Sequence, residues 1–417
     1  MCIRDSRYGA SVGKVFWGKD GAYNVALIRL HNDYGSYIPG FLFLLMKSPL
    51  GQRLFSGISR SAQAGFKKGD IEGKLLPVLS GEEQSRIVAK VDELMVLCDQ
   101  LDQQQEAGIA AHQTLVQTLL DALTTASERD GFTAAWTRIA DHFDTLFTTE
   151  WSIEQLKQTI LQLAVVGKLV PQDASDETTG AFLKKNFSER KKLVEEKRIS
   201  KPKKVPPIEA EEVPFELPKS WQCLRFADLA YEVATGPFGT MVHKTDYIDG
   251  GVPLINPSHM IGGRIVEDLT VSVGKDKAKE LSSYRLREGD VLMARRGEMG
   301  RCALVTSRED GWLCGTGSFV LRFHENLCRE FVLLVFSTRW VKNYLRGKSV
   351  GATMTNLNHG ILNRMPFCLP PVAEQHRIVA EVNKLLVLCE NLKMVIRDAQ
   401  ATQYLLADAV AEHSIDN

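Results

Sequence analysis

The sequence lacks the patterns typical of membrane proteins, disulfide-linked proteins and metalloproteins. Its longest strongly apolar runs, at 41–46 and 331–336, are far shorter than the roughly 20 residues that span a bilayer, and we identify no secretory signal before them. The eight cysteines form no CxxC pair, and the nine histidines show no spacing typical of metal ligands. We therefore expect a cytoplasmic protein that contacts no membrane and holds no metal.

Catalytic motifs are missing as well. Neither the GxxxxGK phosphate loop nor the HExxH zinc motif occurs. The tetrad Asn256-Pro257-Ser258-His259 lacks the second proline and the aromatic residue of an amino-methyltransferase motif, so we interpret it as a turn after a strand. We expect this chain to carry no catalytic residue and no cofactor of its own, which favours a binding protein over an enzyme.

What the sequence does contain is an internal duplication. The segment 83–101 returns at 374–392, 291 residues later, with twelve of nineteen positions identical and no gap. This period is far longer than that of any solenoid repeat. The two copies therefore mark two halves of one chain, each ending a globular segment with a helix.

Each copy carries an apolar stripe at the alternating four and three spacing of a coiled-coil seam. The spacing predicts long helices over about 81–126 and 373–413, each roughly 60 to 70 Å long. We expect the two stripes to pack on each other and their two cysteines to be buried and reduced, although such a stripe is also typical of an ordinary core. The stripe residues are Ile87, Val91, Leu94, Cys98 and Leu101 in the first copy, and Ile378, Val382, Leu385, Cys389 and Leu392 in the second.

Charge is separated along the chain although the net charge is zero. Residues 1–77 contain eleven Lys and Arg against five Asp and Glu, and residues 221–370 contain nineteen against fifteen. The helical segments 78–150 and 371–417 are acidic, with four basic residues against thirteen and seven acidic ones. Two basic globular segments suit a polyanion that is held at two places. Solvated surface charge is the alternative, above all for the second segment.

The region between the copies contains helices, a linker and a second globular domain. Ser152 and Gln155 predict a capping box that opens a helix, and Gly167 ends it. Short β-rich runs separated by glycines then predict a mixed α/β domain. The resulting boundaries are 1–79 for part of a first domain, 80–204 for a central helical region, 205–220 for a proline-rich linker, 221–371 for the second domain and 372–417 for the C-terminal helix.

The first globular segment resembles only the second half of the later domain. GASVGKVFWGKDGAYNVALIRL parallels GEMGRCALVTSREDGWLCGTGSFVLRF, and both continue into a helix, a proline and the duplicated motif. We expect about seventy opening residues to be missing from the first domain. We also expect the leading MCIRDS to match nothing in the other copy and not to be native.

Three stretches resemble the specificity subunit of type I restriction-modification systems. They are the duplicated EQxRIVAxVxxLxxLC, the central LKQTILQLAVVGKLVPQ with the charged helix and PFELPKSW that follow, and LREGDVLMARRGEMGR with GATMTNLNHGILNRMPFCLPP. The resemblance runs from about residue 9 to near the end of the chain. It implies an α+β fold with two mixed α/β target-recognition domains, the first incomplete, separated by long conserved helices packed as an antiparallel coiled coil.

The resemblance also implies a function and a set of partners. Each recognition domain would read half of a bipartite site in double-stranded DNA, while the helices set the spacing and dock methylation subunits. Restriction subunits, which combine motor and nuclease, would complete the complex. S-adenosylmethionine, ATP and Mg are expected only on those partner subunits.

Within the second domain we expect DNA contacts from basic or forked side chains in loops. Arginine can form a bidentate contact with guanine, and asparagine can form hydrogen bonds with adenine. A structural role or simple exposure to solvent is equally compatible with these residues. The candidates are Lys244, Arg295, Arg296, Lys348, Thr355, Asn356 and Asn358.

Two other interpretations remain open from the sequence. The chain could be the recognition fragment of a fused restriction-methylation enzyme, which an upstream methyltransferase domain would reveal. It could also be a coiled-coil scaffold that binds only protein, an interpretation disfavoured by the separation of basic globules from acidic helices.

Overall fold

The structure is a computed structural model that describes residues 3–6, 14–17, 27–54, 68–71, 73–126, 128–202, 204–238, 240–348 and 357–416. The chain divides into two compact units, Met1–Ala111 and His112–Asn417. Both combine helices with small β-sheets, so the predicted α+β fold class is confirmed.

The first unit pairs a small sheet with helices. Its strands are β1 (Ile3–Ser6), β2 (Val15–Trp17) and β3 (Leu27–Leu30), and its helices are α1 (Pro39–Lys47), α2 (Pro49–Arg53), α3 (Lys68–Ile71) and the start of α4 (Gly81–Thr125). The sheet is antiparallel in the order β2-β1-β3. The apolar run at 41–46 lies in α1, where Leu42 and Met46 pack against Val15.

The second unit begins with helices and continues into the larger domain. The elements up to the middle of that domain are α5 (Arg129–Asp141), α6 (Phe143–Leu146), α7 (Glu150–Val165), α8 (Thr179–Glu195), β4 (Gln222–Arg225), α9 (Phe226–Leu229), β5 (Glu232–Thr235), β6 (Tyr247–Ile248), β7 (Val252–Ile255), β8 (Met260–Ile261), β9 (Arg264–Ile265), β10 (Ser272–Val273) and α10 (Lys275–Glu280). The remaining elements are β11 (Val291–Ala294), β12 (Cys302–Leu304), β13 (Leu313–Cys314), β14 (Ser318–Arg322), α11 (Arg329–Ser337), α12 (Arg339–Lys348), α13 (His359–Arg364), β15 (Pro366–Leu369) and α14 (Val372–Asp416).

Two four-stranded sheets form the β part of this unit. One has the order β12-β11-β14-β5 and is antiparallel. The other has the order β13-β7-β10-β6, in which β13 and β7 run parallel. The pairs β15-β4 and β8-β9 are antiparallel. Every residue of β11 is buried, which explains its continuous apolar sequence.

The small sheet of the first unit repeats three strands of the second. Ile3 lies opposite both Trp17 and Leu30, just as Val291 lies opposite both Leu304 and Leu321. The strand Ile3–Ser6 is thus the central strand of its sheet, as β11 is between β12 and β14. The expectation that the leading MCIRDS matches nothing in the other copy and is not native stays a prediction.

Helix α7 begins three residues earlier than the predicted capping box. Thr149 is the N-cap, since its hydroxyl accepts the Ser152 N–H at 3.1 Å and its own N–H donates to the Ser152 hydroxyl at 3.2 Å. Gln155 is instead buried and accepts a hydrogen bond from Arg339 at 2.6 Å. The predicted end is confirmed, because Gly167 adopts a φ of +75° just past the helix.

Helices α7 and α14 pack side by side in opposite directions. Their contact carries a ladder of ion pairs in which earlier residues of α7 meet later residues of α14. The pairs are Glu150 with Arg397 at 2.7 Å, Glu154 with Lys393 at 3.1 Å and Lys157 with Glu390 at 2.6 Å. The order of these pairs follows the antiparallel direction of the two helices.

The apolar stripe of α14 faces the core of its own unit. Ile378, Val382 and Cys389 are buried, and Leu385 and Leu392 pack on the same cluster, which includes side chains of α7 and α11. Cys389 is thus buried as predicted. The direct pairing of the two stripes stays a prediction.

The equivalent stripe of α4 is more open. Ile87 and Val91 are half-buried, whereas Leu94, Cys98 and Leu101 are exposed. The expectation that Cys98 is buried is therefore wrong. Both copies have a cysteine at this position, but only the second cysteine is buried. Burial depends on which side chains pack over each helix, and the repeated sequence does not determine those.

Both long helices are attached to their globular segments by the same buried glutamine, which we call the glutamine clamp. Gln84 accepts the Ile38 N–H at 2.6 Å, and its amide donates to the carbonyl of Leu79 at 2.9 Å. Gln375 accepts the Cys328 N–H at 3.1 Å and donates to the carbonyl of Pro370 at 2.9 Å. In each copy the glutamine joins the N–H of the residue before a domain helix, α1 or α11, to the carbonyl of the residue five positions before the glutamine itself.

The preceding residue of the second copy, Glu374, is a buried junction. One carboxylate oxygen accepts hydrogen bonds from the Trp221 indole N–H at 2.9 Å and from the Gln172 amide at 2.6 Å. Its other oxygen has no hydrogen-bond partner among the described residues. Burial raises the pKa of the Glu374 carboxyl above its usual value, although the indole and amide donors and Arg377 oppose the shift. The central region, the second domain and α14 thus meet at one carboxylate.

We predict that Glu374→Gln changes how stability depends on pH. The folded-state pKa of Glu374 is raised, so its contribution to stability is fully present below the unfolded value near 4.5 and is lost as pH rises through the folded pKa. Glutamine keeps an oxygen that can accept both hydrogen bonds but does not ionise. Relative to wild type, the variant should gain stability as pH rises above about 4.5, as measured by urea unfolding at several pH values.

The matched control is Glu83→Gln, the equivalent position on α4, whose side chain is exposed. That variant should follow the wild-type profile. Parallel pH profiles for Glu374→Gln and wild type would contradict the prediction.

Candidate nucleic-acid interface

Ends of strands from both large sheets meet at one edge of the second unit. Gly236, just after β5, donates to the carbonyl of Ser318 at the start of β14, 3.0 Å away. Gly315, just after β13, donates to the carbonyl of Ile255 at the end of β7, 2.8 Å away. We call this surface the loop edge and define it as residues 236–238, 256–259, 295–301, 315–317 and 357–359.

Glycines allow the backbones of the loop edge to touch. A Cβ on Gly236 would lie 2.1 Å from the carbonyl oxygen of Gly315, and a Cβ on Gly315 would lie 2.3 Å from the Asn256 Oδ1. Both distances are impossible for a side chain, so these positions require glycine. The tetrad at Asn256 is a 3₁₀ turn after β7, which confirms its interpretation as a turn.

Arg295 is held in place by the protein itself. Its guanidinium lies over the Phe319 ring at 4.8 Å, and its Nε donates to the carbonyl of Leu357 at 3.2 Å. The two backbones are also joined, because the Leu357 N–H donates to the Arg295 carbonyl at 3.0 Å. Burial, together with the neighbouring Arg296 charge, lowers the pKa of the Arg295 guanidinium. Arg295 therefore supports the loop edge and ties it to the segment before α13.

A histidine also packs against Phe319. The His359 and Phe319 rings meet edge to face at 4.9 Å between centroids. The His359 Nε2 lies 3.0 Å from the carbonyl of Val233 and 3.1 Å from the Thr235 hydroxyl. Neither Phe319 nor His359 was identified from the sequence, since nothing in their local pattern marks them; only the fold brings them to Arg295.

Arg296 differs from its neighbour because its side chain is exposed. Over the described ranges it forms no hydrogen bond or ion pair. Its Cδ lies close to Gly317, a glycine with a φ of +79°. Phe238 lies in the same loop edge and is 68% exposed. Sequence reasoning missed Phe238, although an aromatic flanked by glycine and proline in a loop is a usable signal.

The other sequence candidates divide into those that the structure places and those that it does not describe. Asn358 is exposed and caps α13, because its Oδ1 accepts the Ile361 N–H at 3.0 Å. Lys244 is exposed at the start of a 3₁₀ turn that leads into β6, and no described contact joins it to Arg295. The Lys348 side chain and all of Thr355 and Asn356 lie outside the described residues.

A carboxylate beside Arg296 is neutralised by its neighbours. Glu298 accepts from Arg301 at 2.6 Å and from Lys342 at 3.4 Å. The hydrogen bond from Arg301 lowers the pKa of Glu298, so the group stays ionised and paired. Among the described residues, no carboxylate is paired with Arg296.

Two further properties bear on what this surface can bind. Among the described residues, no group of three or more His, Cys, Asp or Glu side chains is placed to hold a metal ion. No described helix combines the length and apolar character needed to cross a membrane. The loop edge offers an exposed cation and an aromatic ring, which suit phosphates and bases respectively.

Comparison with known proteins identifies the family. Residues 218–393 match the family model described as type I restriction modification DNA specificity domain. The chain is 35% identical to the EcoAI specificity subunit and 32% identical to the EcoEI specificity subunit, both type I restriction enzyme subunits of Escherichia coli. These alignments cover 97% and 96% of this chain and 70% and 69% of the relatives. The chain belongs to the family of type I restriction enzyme specificity subunits.

A solved structure agrees with this fold. It comes from work titled "Structural basis underlying complex assembly and conformational transition of the type I R-M system", and it superposes with a TM-score of 0.51 at 17% identity over 99% of this chain and 80% of that one. At this identity the likeness concerns the fold alone.

We predict that the two neighbouring arginines differ in their effect on stability. Arg295→Ala removes a cation–π contact and a hydrogen bond that satisfies the Leu357 carbonyl, and it should cost about 1–3 kcal/mol of unfolding free energy. Arg296→Ala is the matched control and should change the unfolding free energy by less than about 0.5 kcal/mol. Urea unfolding measures both values. Equal losses for the two variants would contradict the assigned roles.

Proposed function

We propose that this chain recognises a DNA sequence within a type I restriction-modification complex and that the loop edge of the second unit contacts the DNA. The observation that carries the proposal is the pairing of Arg295, which is fixed by Phe319 and Leu357, with Arg296, which is exposed. A rigid support beside an exposed guanidinium suits a bidentate contact to guanine or a clamp on phosphate.

The catalytic chemistry belongs to other subunits in this proposal. The methylation subunits would use S-adenosylmethionine, and the restriction subunits would use ATP and Mg. This chain would select the site without catalysing a step. Its family membership supports that division, since the relatives are named as specificity subunits.

The long helices supply the frame in the proposed complex. A 45-residue helix such as α4 or α14 is about 68 Å long at 1.5 Å per residue, which is enough to separate two readers by one or two turns of DNA. The outer parts of both helices expose apolar side chains that suit the docking of methylation subunits. They include Leu94, Leu97, Leu101, Val395, Leu405, Leu406 and Val410.

The proposal predicts a salt-dependent loss of DNA binding in Arg296→Ala. Removing one phosphate-neutralising cation should weaken binding of the full chain to duplex DNA and reduce the slope of log affinity against log salt by about 1. A base contact would instead weaken binding to the preferred sequence by about 1–3 kcal/mol with less change in slope. Fluorescence anisotropy with a selected duplex and a scrambled duplex, at several salt concentrations, distinguishes the two.

The matched control is Arg86→Ala, which removes an exposed arginine from α4 and should leave affinity and slope unchanged. Wild-type affinity and slope in Arg296→Ala would remove this residue from the interface. Failure of the wild-type chain to bind duplex DNA at any salt concentration, alone or with methylation subunits, would refute the proposed function.

A further inference from the structure

Two cysteines face each other on the strand pair that opens and closes the second recognition domain. Strand β4 runs antiparallel to β15, and Cys223 lies directly opposite Cys368. Their sulfur atoms are 2.7 Å apart. Directly opposed residues of antiparallel strands have Cα atoms about 4.5–5.5 Å apart, which falls within the range that a disulfide spans.

The two thiols have different access to solvent. Cys223 is half-buried, whereas Cys368 is buried. The hydrogen bond with Cys368 lowers the pKa of Cys223, and the nearby Arg225 charge adds to this effect against the cost of burial. The same hydrogen bond and burial raise the pKa of Cys368. Cys223 is therefore the thiol that loses its proton first and meets an oxidant first.

The position of the pair gives a bond there a structural consequence. Cys223 lies two residues after Trp221, which donates to Glu374, and Cys368 lies four residues before the start of α14. The two cysteines are 145 positions apart in the sequence, and the segment between them spans the domain from its first strand to its last. A covalent bond between them would close the whole domain into a loop at its attachment to the helices.

We propose that Cys223 and Cys368 form a reversible disulfide when the protein meets a peroxide, making the base of the second recognition domain a redox modification site. This inference does not depend on the proposed DNA contact. It concerns the attachment of the domain and holds for whatever ligand the loop edge binds.

The chemistry balances with a peroxide as the oxidant. The Cys223 thiolate attacks hydrogen peroxide, the O–O bond breaks, and a sulfenic acid and hydroxide result; the hydroxide takes up the proton that Cys223 released. The Cys368 sulfur then attacks the sulfenic sulfur, the S–O bond breaks, and water leaves with the Cys368 proton. Two thiols and one peroxide thus give one disulfide and two waters. A small dithiol reverses the reaction by exchange.

The experiment treats the folded full-length chain with hydrogen peroxide, alkylates the remaining thiols and maps the peptides by mass spectrometry without reduction. We expect a cross-linked peptide that joins Cys223 to Cys368, loss of alkylation at these two positions and recovery of both after dithiothreitol. The oxidised chain should also unfold at a higher temperature, because the cross-link restricts the unfolded chain.

Variants separate this pair from other thiols. Cys98→Ser removes an exposed thiol and should leave the cross-linked peptide unchanged. Cys223→Ser should abolish the cross-link and leave Cys368 alkylatable in denaturant, and the wild-type measurement stands even if this variant folds poorly. Full alkylation of Cys223 and Cys368 after peroxide, with oxidation confined to Cys98, would overturn the proposal.

Discussion

A buried glutamine at the start of each long helix connects the globular segments of this chain to its helices. Gln375 binds one backbone N–H and one carbonyl, whereas Gln84 binds one N–H and the carbonyls of both Ser36 and Leu79. Both side chains are almost fully buried. Leaving such groups unpaired costs about 1–3 kcal/mol each. Because the bonded N–H precedes α1 or α11, the clamp fixes where a domain helix begins relative to the long helix. That contact therefore sets the position of each domain relative to its own long helix.

The proposed reading surface follows the same division between support and contact. The Arg295 guanidinium stacks on Phe319 and donates a hydrogen bond to the Leu357 carbonyl. These contacts hold the backbone of the loop edge in a fixed conformation. Arg296 and Phe238 remain exposed. A site whose loops are fixed before binding loses less conformational entropy when a ligand arrives. The close backbone contacts at the glycines also restrict the conformation of the loops, because close packing leaves little space for rearrangement.

Much of this fold could be predicted from the sequence, because periodicity reports locally on which face of a helix is buried. The ends of α4 and α14 lie close to the predicted ones, and the turn at Gly167 follows from its conformational freedom. The partner of a buried face is not a local property: the α14 stripe is covered by α7 and α11. The role of Arg295 could not be predicted either, since it depends on Phe319, which reaches it only through strand pairing. The clamp left a signal, an identical glutamine in both copies, but its buried position became visible only in the fold.

Hydrogen–deuterium exchange at the Cys328 amide tests the clamp most directly. In wild type this N–H donates to Gln375 at 3.1 Å and should exchange slowly. In Gln375→Ala we expect faster exchange at the Cys328 amide and unchanged exchange at the Ile38 amide, which donates to Gln84 in the other copy. Equal protection of the Cys328 amide in wild type and Gln375→Ala would contradict the claim that this glutamine fixes the domain on its helix.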